Sequence, residues 1–278
     1  MGNQMPELEK LLDDWQGKHA KLLSQEEPYC LDHEPPFGRF VRDGVVNLDE
    51  WKKQKLRVCF VLPEASGFDN LEKYPEGTVC DVAQVWNEKG SFTRLTQMVA
   101  FWTQAVYDAT QPPVTYAKKA TNKKQNALLR SIAIVNLKKS DGQLRPLTNS
   151  FGKFAQVDAA EIRKELEIIK ANIIICSGTY PVLHGVRPEE ELPEGERKFV
   201  FYDDELVLGA PRTYKWGKNK LVINAWSVAQ KFKPASSKCL NYYAIREIVR
   251  SGIKSFQDSS QKNKVPKAKK TAATATKE

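Results

Sequence analysis

The sequence has few histidines and cysteines, and it lacks the motifs that identify several common classes of protein. Of its 278 residues only three are His and five are Cys, and no two cysteines are spaced Cys-x-x-Cys. We therefore expect no zinc or iron–sulfur site, no other metal and no cofactor. The sequence contains no Gly-x-Gly-x-x-Gly, Gly-x-x-x-x-Gly-Lys or Gly-x-Ser-x-Gly motif, which argues against dinucleotide-binding, P-loop and α/β-hydrolase proteins.

Long apolar runs are also missing. The longest, such as Ile132–Val135 and Ile173–Cys176, are far too short to cross a bilayer. The first seven residues lack the basic-then-apolar pattern of a secretory signal. Cys59 and Cys176 lie inside apolar runs, where a reduced cysteine behaves as a small hydrophobic residue. We therefore expect a cytoplasmic protein with no membrane partner and with thiols in its core.

Charge is spread unevenly along the chain. The formal net charge is +9, and residues 262–278 alone hold six Lys and one Glu. A modestly basic body with a Lys-rich tail suits a polyanionic partner such as nucleic acid. A solvated tail that aids solubility would have the same composition, so charge alone leaves both interpretations open.

Apolar, β-branched runs alternate with helical patterns along the chain. The runs are Leu56–Leu62, Ser131–Leu137, Asn172–Gly178 and Lys220–Trp226, and helical patterns cover 6–24, 91–109, 158–171 and 239–252. Runs that are apolar throughout indicate strands buried on both faces, and alternation with helices indicates parallel crossovers. We therefore predict an α/β protein, a three-layer α/β/α sandwich with a central four-stranded parallel sheet.

Three parts are predicted along the chain. Residues 1–54 form a segment that packs on the core, helical at first and irregular over 26–54. Residues 55–255 form the α/β domain, in which Phe199–Tyr202, Leu206–Leu208 and Thr213–Trp216 are read as short antiparallel strands. Residues 256–278 are read as a disordered Lys/Ala-rich tail, because they show no apolar period.

Each of the four long strands ends in a polar or small-residue turn. The first two turns carry Glu64 and Asn136, and the last two carry Ser177 and Ser227. In an open α/β sheet, ligands bind just beyond the carboxyl ends of the strands. These side chains are therefore predicted to share one pocket.

The same four strand ends resemble the uracil-DNA glycosylase-like superfamily over roughly residues 40–255. The segments that carry the resemblance are Pro63-Glu64-Ala65-Ser66-Gly67, Ile132-Ala133-Ile134-Val135-Asn136, Ile173-Ile174-Ile175-Cys176-Ser177-Gly178 and Val222-Ile223-Asn224-Ala225-Trp226. The first is similar to the water-activating motif, in its Gly-Glu-Ala-Pro-Gly form, and the second to the strand whose terminal Asn reads the flipped base. The Asn-Leu-Lys-Lys and Ile-Ile-Cys-x-Gly-Thr patterns are similar to those of a bacterial branch of the superfamily.

The resemblance implies a monomeric DNA glycosylase that flips and excises an unusual or modified base from double-stranded DNA, and antiphage defence is one role that fits. It implies catalytic roles for Glu64, Asn136 and Ser227. It implies base contacts from Ala65, Ser66, Phe68, Trp86 and Asn136. It implies DNA contacts from Lys138, Lys139, Ser177, Thr179, Lys231, Phe232 and Lys233. We expect a monofunctional enzyme, because no lysine stands in the Glu64 turn to form a Schiff base.

The sequence departs from the best-known members of the superfamily after the fourth strand. Ser227-Val228-Ala229 stands where those members have His-Pro-Ser, and the three histidines, at 19, 33 and 184, lie elsewhere. Two alternatives therefore stay open: a non-catalytic DNA-binding module on the same fold, and a hydrolase of free nucleosides.

Overall fold

We describe the protein from a computed structural model, over residues 5–23, 40–65, 80–90, 93–112, 121–141, 155, 158–183, 204–206, 212–217, 220–225 and 242–262. The helices are α1 (Pro6–Leu23), α2 (Leu48–Lys52), α3 (Val82–Lys89), α4 (Arg94–Asp108), α5 (Asn122–Arg130), α6 (Ala159–Ile169), α7 (Tyr180–Leu183) and α8 (Tyr242–Lys262). The strands are β1 (Val41–Arg42), β2 (Gly44–Val45), β3 (Val58–Ala65), β4 (Cys80–Asp81), β5 (Ala133–Asp141), β6 (Ile173–Ser177), β7 (Asp204–Leu206), β8 (Thr213–Trp216) and β9 (Lys220–Ala225).

The main sheet has seven strands in the order β2-β5-β3-β6-β9-β8-β7. Its four central strands, β5, β3, β6 and β9, are parallel to one another and correspond to the four predicted apolar runs. The sheet is nevertheless larger than the predicted four strands. At one edge, β2 pairs antiparallel with β5. At the other edge, β8 pairs antiparallel with β9, and β7 pairs antiparallel with β8.

Helices cover both faces of this sheet, which gives three layers. Along β3, Val58, Phe60 and Leu62 belong to one buried cluster, and Cys59 and Val61 belong to another. The first core lies between the sheet and helices α3, α4, α5 and α8. The second core lies between the sheet and helices α1, α6 and α7. Alternate side chains of a strand point to opposite faces, so central strands that are covered on both sides must be apolar throughout.

Helices α3 and α4, which cover one face of the sheet, begin at residues whose side chains cap free backbone amides. Asp81 caps α3 through the Gln84 amide, and Thr93 and Thr96 form a reciprocal capping box at the start of α4. Gly90 ends α3 with a φ of 70°, a conformation that favours glycine. These signals are short-range, yet α3 and α5 were not predicted.

Several predicted boundaries are corrected by the structure. Within the segment 26–54, which was predicted to be irregular, β1, β2 and α2 are regular elements, and β2 joins the main sheet. Helix α8 reaches Lys262, so the first residues of the predicted disordered tail are helical. Residues 263–278 and Phe199–Tyr202 lie outside the described residues. Thr213–Trp216 is a strand as predicted.

Two further features concern the cysteines and the helices. Cys59 and Cys176 are buried and carry free thiols, as predicted. Across the described ranges, no helix combines the length and apolar character needed to cross a bilayer.

Candidate active site

Glu64 and Asn136 lie on neighbouring parallel strands. Glu64 is the last residue but one of β3, whereas Asn136 is the fourth residue of β5, which continues to Asp141 and so runs past the predicted strand end at Leu137. In the register of β3 and β5, Leu62 stands opposite Asn136 and Glu64 stands opposite Lys138. Strand alternation places Glu64, Asn136 and Lys138 on the same face, the one that packs on the first core. From strand rise and spacing, the Cα atoms of Glu64 and Asn136 are roughly 8 Å apart.

The Glu64 carboxylate is buried beside a single ammonium group. Its side chain is 4 % exposed, and its Oε2 lies 3.7 Å from Lys138 Nζ, which makes an ion pair too long for a hydrogen bond. Burial raises the pKa of Glu64, and the positive charge of Lys138 partly opposes this rise. The second oxygen, Oε1, is buried and has no hydrogen-bond partner among the described residues. Lys138 was predicted to bind phosphate, and here it is the partner of Glu64.

Asn136 is held by a residue that the sequence did not single out. Its backbone amide and its side-chain Nδ2 both donate to Asp43 Oδ2, at 2.6 and 2.9 Å. Asp43 directly precedes β2, which pairs antiparallel with β5 and so carries this carboxylate to the end of the neighbouring strand. The other amide atom, Asn136 Oδ1, is buried and lacks a hydrogen-bond partner within the described part of the chain.

A buried charge cluster of Asp43, Lys139 and Glu165 adjoins Asn136, and Asp43 links it to Lys139 on the other face of the sheet. Lys139 Nζ forms a short ion pair with Asp43 Oδ1 and lies 2.8 Å from Glu165 Oε2. It also lies 4.9 Å from the centroid of the Trp15 ring in α1. Burial raises the pKa of Glu165 well above its usual range, and the Asp43 carboxylate adds to the rise. Burial alone would lower the pKa of Lys139, but the two carboxylates more than offset it and leave the pKa raised.

The pairing of β3 with β5 is irregular near the end of both strands. It shifts after Glu64, so that Ala65 pairs with Asp141 and Lys139 and Ser140 have no partner in that register. Such bulges bend a strand locally, and they recur beside active sites. Lys138 and Lys139 reach opposite faces of the sheet because successive side chains of a strand alternate.

Two of the residues predicted to contact DNA are corrected by their burial and contacts. Lys139 is fully buried in the charge cluster and cannot reach a phosphate. Thr179 is also fully buried, and its hydroxyl donates to the Val61 carbonyl oxygen at 3.0 Å, which ties the β6–α7 connection to β3. Ser177, at the end of β6, is as buried as Asn136, and its predicted contact with DNA stays a prediction.

The predicted base contacts divide into three groups. Trp86 does not suit stacking on a base, because it packs in the first core with Val82 and Ala83 on one side of α3. Ala65 lies beside Glu64 at the bulge and is 5 % exposed, and its predicted role stays a prediction. Ser66 and Phe68 lie outside the described residues, as do the predicted site residues Ser227, Lys231, Phe232 and Lys233.

Sequence reasoning missed Asp43, which lies 93 residues before Asn136. A lone Asp between short strands, in a stretch rich in Pro and Gly, gives no local signal of its partner. By contrast, the spacing of Val82, Ala83 and Trp86 on one helical face was a usable sign that Trp86 belongs to the core.

No family model, no curated protein and no solved structure matches this chain. The assignment of a function therefore depends on the chemistry of the strand ends.

Proposed function

We propose that the protein is a DNA glycosylase that flips an unusual or modified base out of double-stranded DNA and hydrolyses its N-glycosidic bond. The observation that carries the proposal is a pair of buried oxygens, Glu64 Oε1 and Asn136 Oδ1, without hydrogen-bond partners in the described ranges. Buried polar atoms are nearly always satisfied, so two unsatisfied oxygens on adjacent strands support the presence of a bound ligand. Glu64 lies near the carboxyl end of β3, the side of a parallel sheet where ligands bind.

In the proposed reaction, Asn136 contacts the base and Glu64 faces the sugar. The bond from C1′ to the base nitrogen breaks and its electron pair leaves with the base, so positive charge develops on the sugar. An ionised Glu64 stabilises that charge and orients the water whose oxygen then bonds to C1′. The water loses one proton, and the departing base gains one from the surroundings.

Lys138 supports this role by favouring the charged form of Glu64 against the effect of burial. A lysine beside the catalytic carboxylate also raises the question of a Schiff base. Lys138 Nζ lies 3.7 Å from Glu64 Oε2, and an ammonium that pairs with a carboxylate is not a nucleophile. We therefore propose a monofunctional enzyme, from which borohydride should trap no covalent adduct with DNA.

The test is base release from genomic DNAs of phages that carry different base modifications, with unmodified DNA alongside. Freed bases are identified by mass spectrometry. Glu64→Gln should lower the rate by at least about 100-fold, whereas Glu167→Gln, at an exposed position on α6, should leave it unchanged. Release of no base from any DNA, or equal rates for wild type and Glu64→Gln, would overturn the proposal.

The other two functions predict different outcomes. A non-catalytic binding module would bind the same DNAs without releasing a base, and Glu64→Gln would not alter its binding. A hydrolase of free nucleosides would turn over without DNA and would respond weakly to salt.

A further inference from the structure

Asp43 fixes the side-chain amide of Asn136 in one orientation. An amide can usually exchange its oxygen and nitrogen by rotating half a turn. A carboxylate paired with an ammonium accepts hydrogen bonds and donates none, so the atom of Asn136 that faces Asp43 Oδ2 must be the nitrogen. The backbone amide of Asn136 donates to the same oxygen, which holds the carboxylate in place.

As a result, the amide oxygen of Asn136, Oδ1, is turned away from Asp43 and is the hydrogen-bond acceptor that a ligand would meet. Asn136 is 1 % exposed, and its Oδ1 has no donor among the residues that the structure describes. A buried acceptor without a donor is costly, and a ligand that brings an N–H group relieves that cost. A keto oxygen placed there would instead meet the lone pairs of Oδ1.

We propose that Asp43 is a positioning residue that makes Asn136 select bases with an exocyclic amino group. This proposal rests on the proposed function, because it names the class of base that this site takes. An amino group projects from the ring with N–H bonds at its tip. In uracil and thymine the ring N–H is flanked by two carbonyl oxygens, which would approach Oδ1 and the Asp43 carboxylate. The substrates are therefore bases that carry an exocyclic amino group, of adenine, cytosine or guanine type, and their derivatives.

Binding to four matched oligonucleotides tests the selection. Each duplex carries one 2′-fluoro nucleotide, whose fluorine destabilises the sugar cation and keeps the base attached. The bases are cytosine and adenine and their counterparts without the amino group, 2-pyrimidinone and purine. Each base is placed opposite an abasic-site analogue, so that no base pair has to be broken before the nucleotide flips.

Wild type should bind the cytosine and adenine duplexes at least about 10-fold more tightly than the duplexes without the amino group. Uracil and hypoxanthine, which carry a keto oxygen in place of the amino group, should also bind more weakly. In Asp43→Asn the new amide can donate or accept, so Asn136 is free to turn, and the preference should fall to less than about threefold.

Glu165→Gln is the matched control, because Glu165 belongs to the same charge cluster but does not contact Asn136. It should keep the wild-type preference, and thermal unfolding should show that both variants are folded. Where Asp43→Asn does not fold, Asn136→Ala replaces it and should lose the preference too. Loss of preference in Glu165→Gln as well would indicate a merely structural role and overturn the proposal.

Each remaining outcome separates this inference from the glycosylase proposal. Equal binding of the amino and des-amino duplexes by wild type overturns the selection, even where bases are released from other DNA. A clear preference without any base release supports the selection and overturns the enzyme. Failure to bind any of the duplexes overturns the selection, whereas base release from the phage DNAs still decides the glycosylase proposal.

Discussion

Lys138 and Lys139 are adjacent in sequence but belong to different environments. The Lys138 side chain is 15 % exposed beside Glu64, whereas Lys139 is enclosed by Asp43, Glu165 and Trp15. Two identical side chains therefore have separate tasks, one at the candidate site and the other in the interior. The reason is the alternation of side chains along β5, which directs them to opposite faces of the sheet.

Replacing each lysine with methionine should separate these tasks. Lys139→Met leaves buried carboxylates without their ammonium and should lower the free energy of unfolding by about 3–5 kcal/mol. Lys138→Met is the matched control and should cost less than Lys139→Met, because Lys138 is partly exposed and has a single, longer ion pair with Glu64. Urea unfolding monitored by circular dichroism measures both. Equal losses for the two variants would contradict the assignment of Lys139 to the interior.

The raised pKa of Glu64 predicts how stability and base release depend on pH. Folding increases the proton affinity of this carboxyl group, so the stability it contributes falls as pH rises through the interval from the unfolded to the folded pKa. Glu64→Gln should therefore be more stable than wild type at neutral pH, and the difference should shrink in acid. Thermal unfolding across a pH series measures this difference.

The raised pKa of Glu64 also predicts the acidic limb of the pH profile of the proposed reaction, the range in which kcat/KM falls as the pH is lowered. Base release requires ionised Glu64, so kcat/KM should rise with pH through the raised pKa of this group. Lys138→Met removes the charge that lowers the Glu64 pKa, so the acidic limb should move to higher pH. Lys138→Arg keeps a positive charge and should leave the limb near its wild-type position. A limb at the same pH in all three proteins would contradict the role of Lys138.

At the scale of the elements, two helical glycines have opposite surroundings. A Cβ added at Gly252 in α8 would lie 2.5 Å from Leu221 Cδ2 of β9, whereas one added at Gly17 in α1 would meet nothing within 4 Å. Gly252 therefore allows a close approach of α8 to the sheet. Gly17 only costs the helix conformational entropy.

Substitution of these glycines by alanine should change stability in opposite directions. Gly252→Ala should destabilise the fold by about 1–3 kcal/mol through overpacking, and Leu221→Val in the same chain should recover part of the loss. Gly17→Ala should stabilise it by about 0.5–1 kcal/mol through higher helix propensity. Urea unfolding measures all three variants, and stabilisation by Gly252→Ala would show that α8 does not pack this closely.

The elements also show what the sequence could and could not predict. The four central strands and helices α1, α4 and α6 were predicted because apolar periodicity is a local signal. The edge strand β2 is two residues long and carries no such period, and β7, of three residues, overlaps the predicted strand Leu206–Leu208 only at Leu206. Glu64 and Asn136 were identified because strand ends are marked by a change from apolar to polar residues. Asp43, and the burial of Lys139, depend on pairing between distant segments, which a local pattern does not encode.

At the scale of the whole molecule, the proposed function predicts where affinity for DNA arises. Residues 263–278 hold five lysines and one glutamate. Removal of this segment should weaken binding and reduce the slope of log K against log salt by up to roughly 0.9 per lysine engaged. Base release at saturating DNA should not change, because the segment contains none of the proposed site residues.

A full-length variant with glutamine at those five lysines separates charge from chain length. It should show the same loss of salt dependence as the truncated protein. Fluorescence anisotropy titrations at several salt concentrations measure the slope. An unchanged slope in either variant would mean that the folded body supplies the contacts with phosphate.

The position of Asp43 also has a consequence for the order in which the molecule folds. Asp43 meets Asn136 across 93 residues and Lys139 across 96 residues of chain. Contacts between such distant residues close large loops and form slowly compared with helices. During synthesis, Asp43 emerges early and stays without these partners until β5 has been made. The Asp43 carboxylate therefore reaches Asn136 only when β2 pairs with β5.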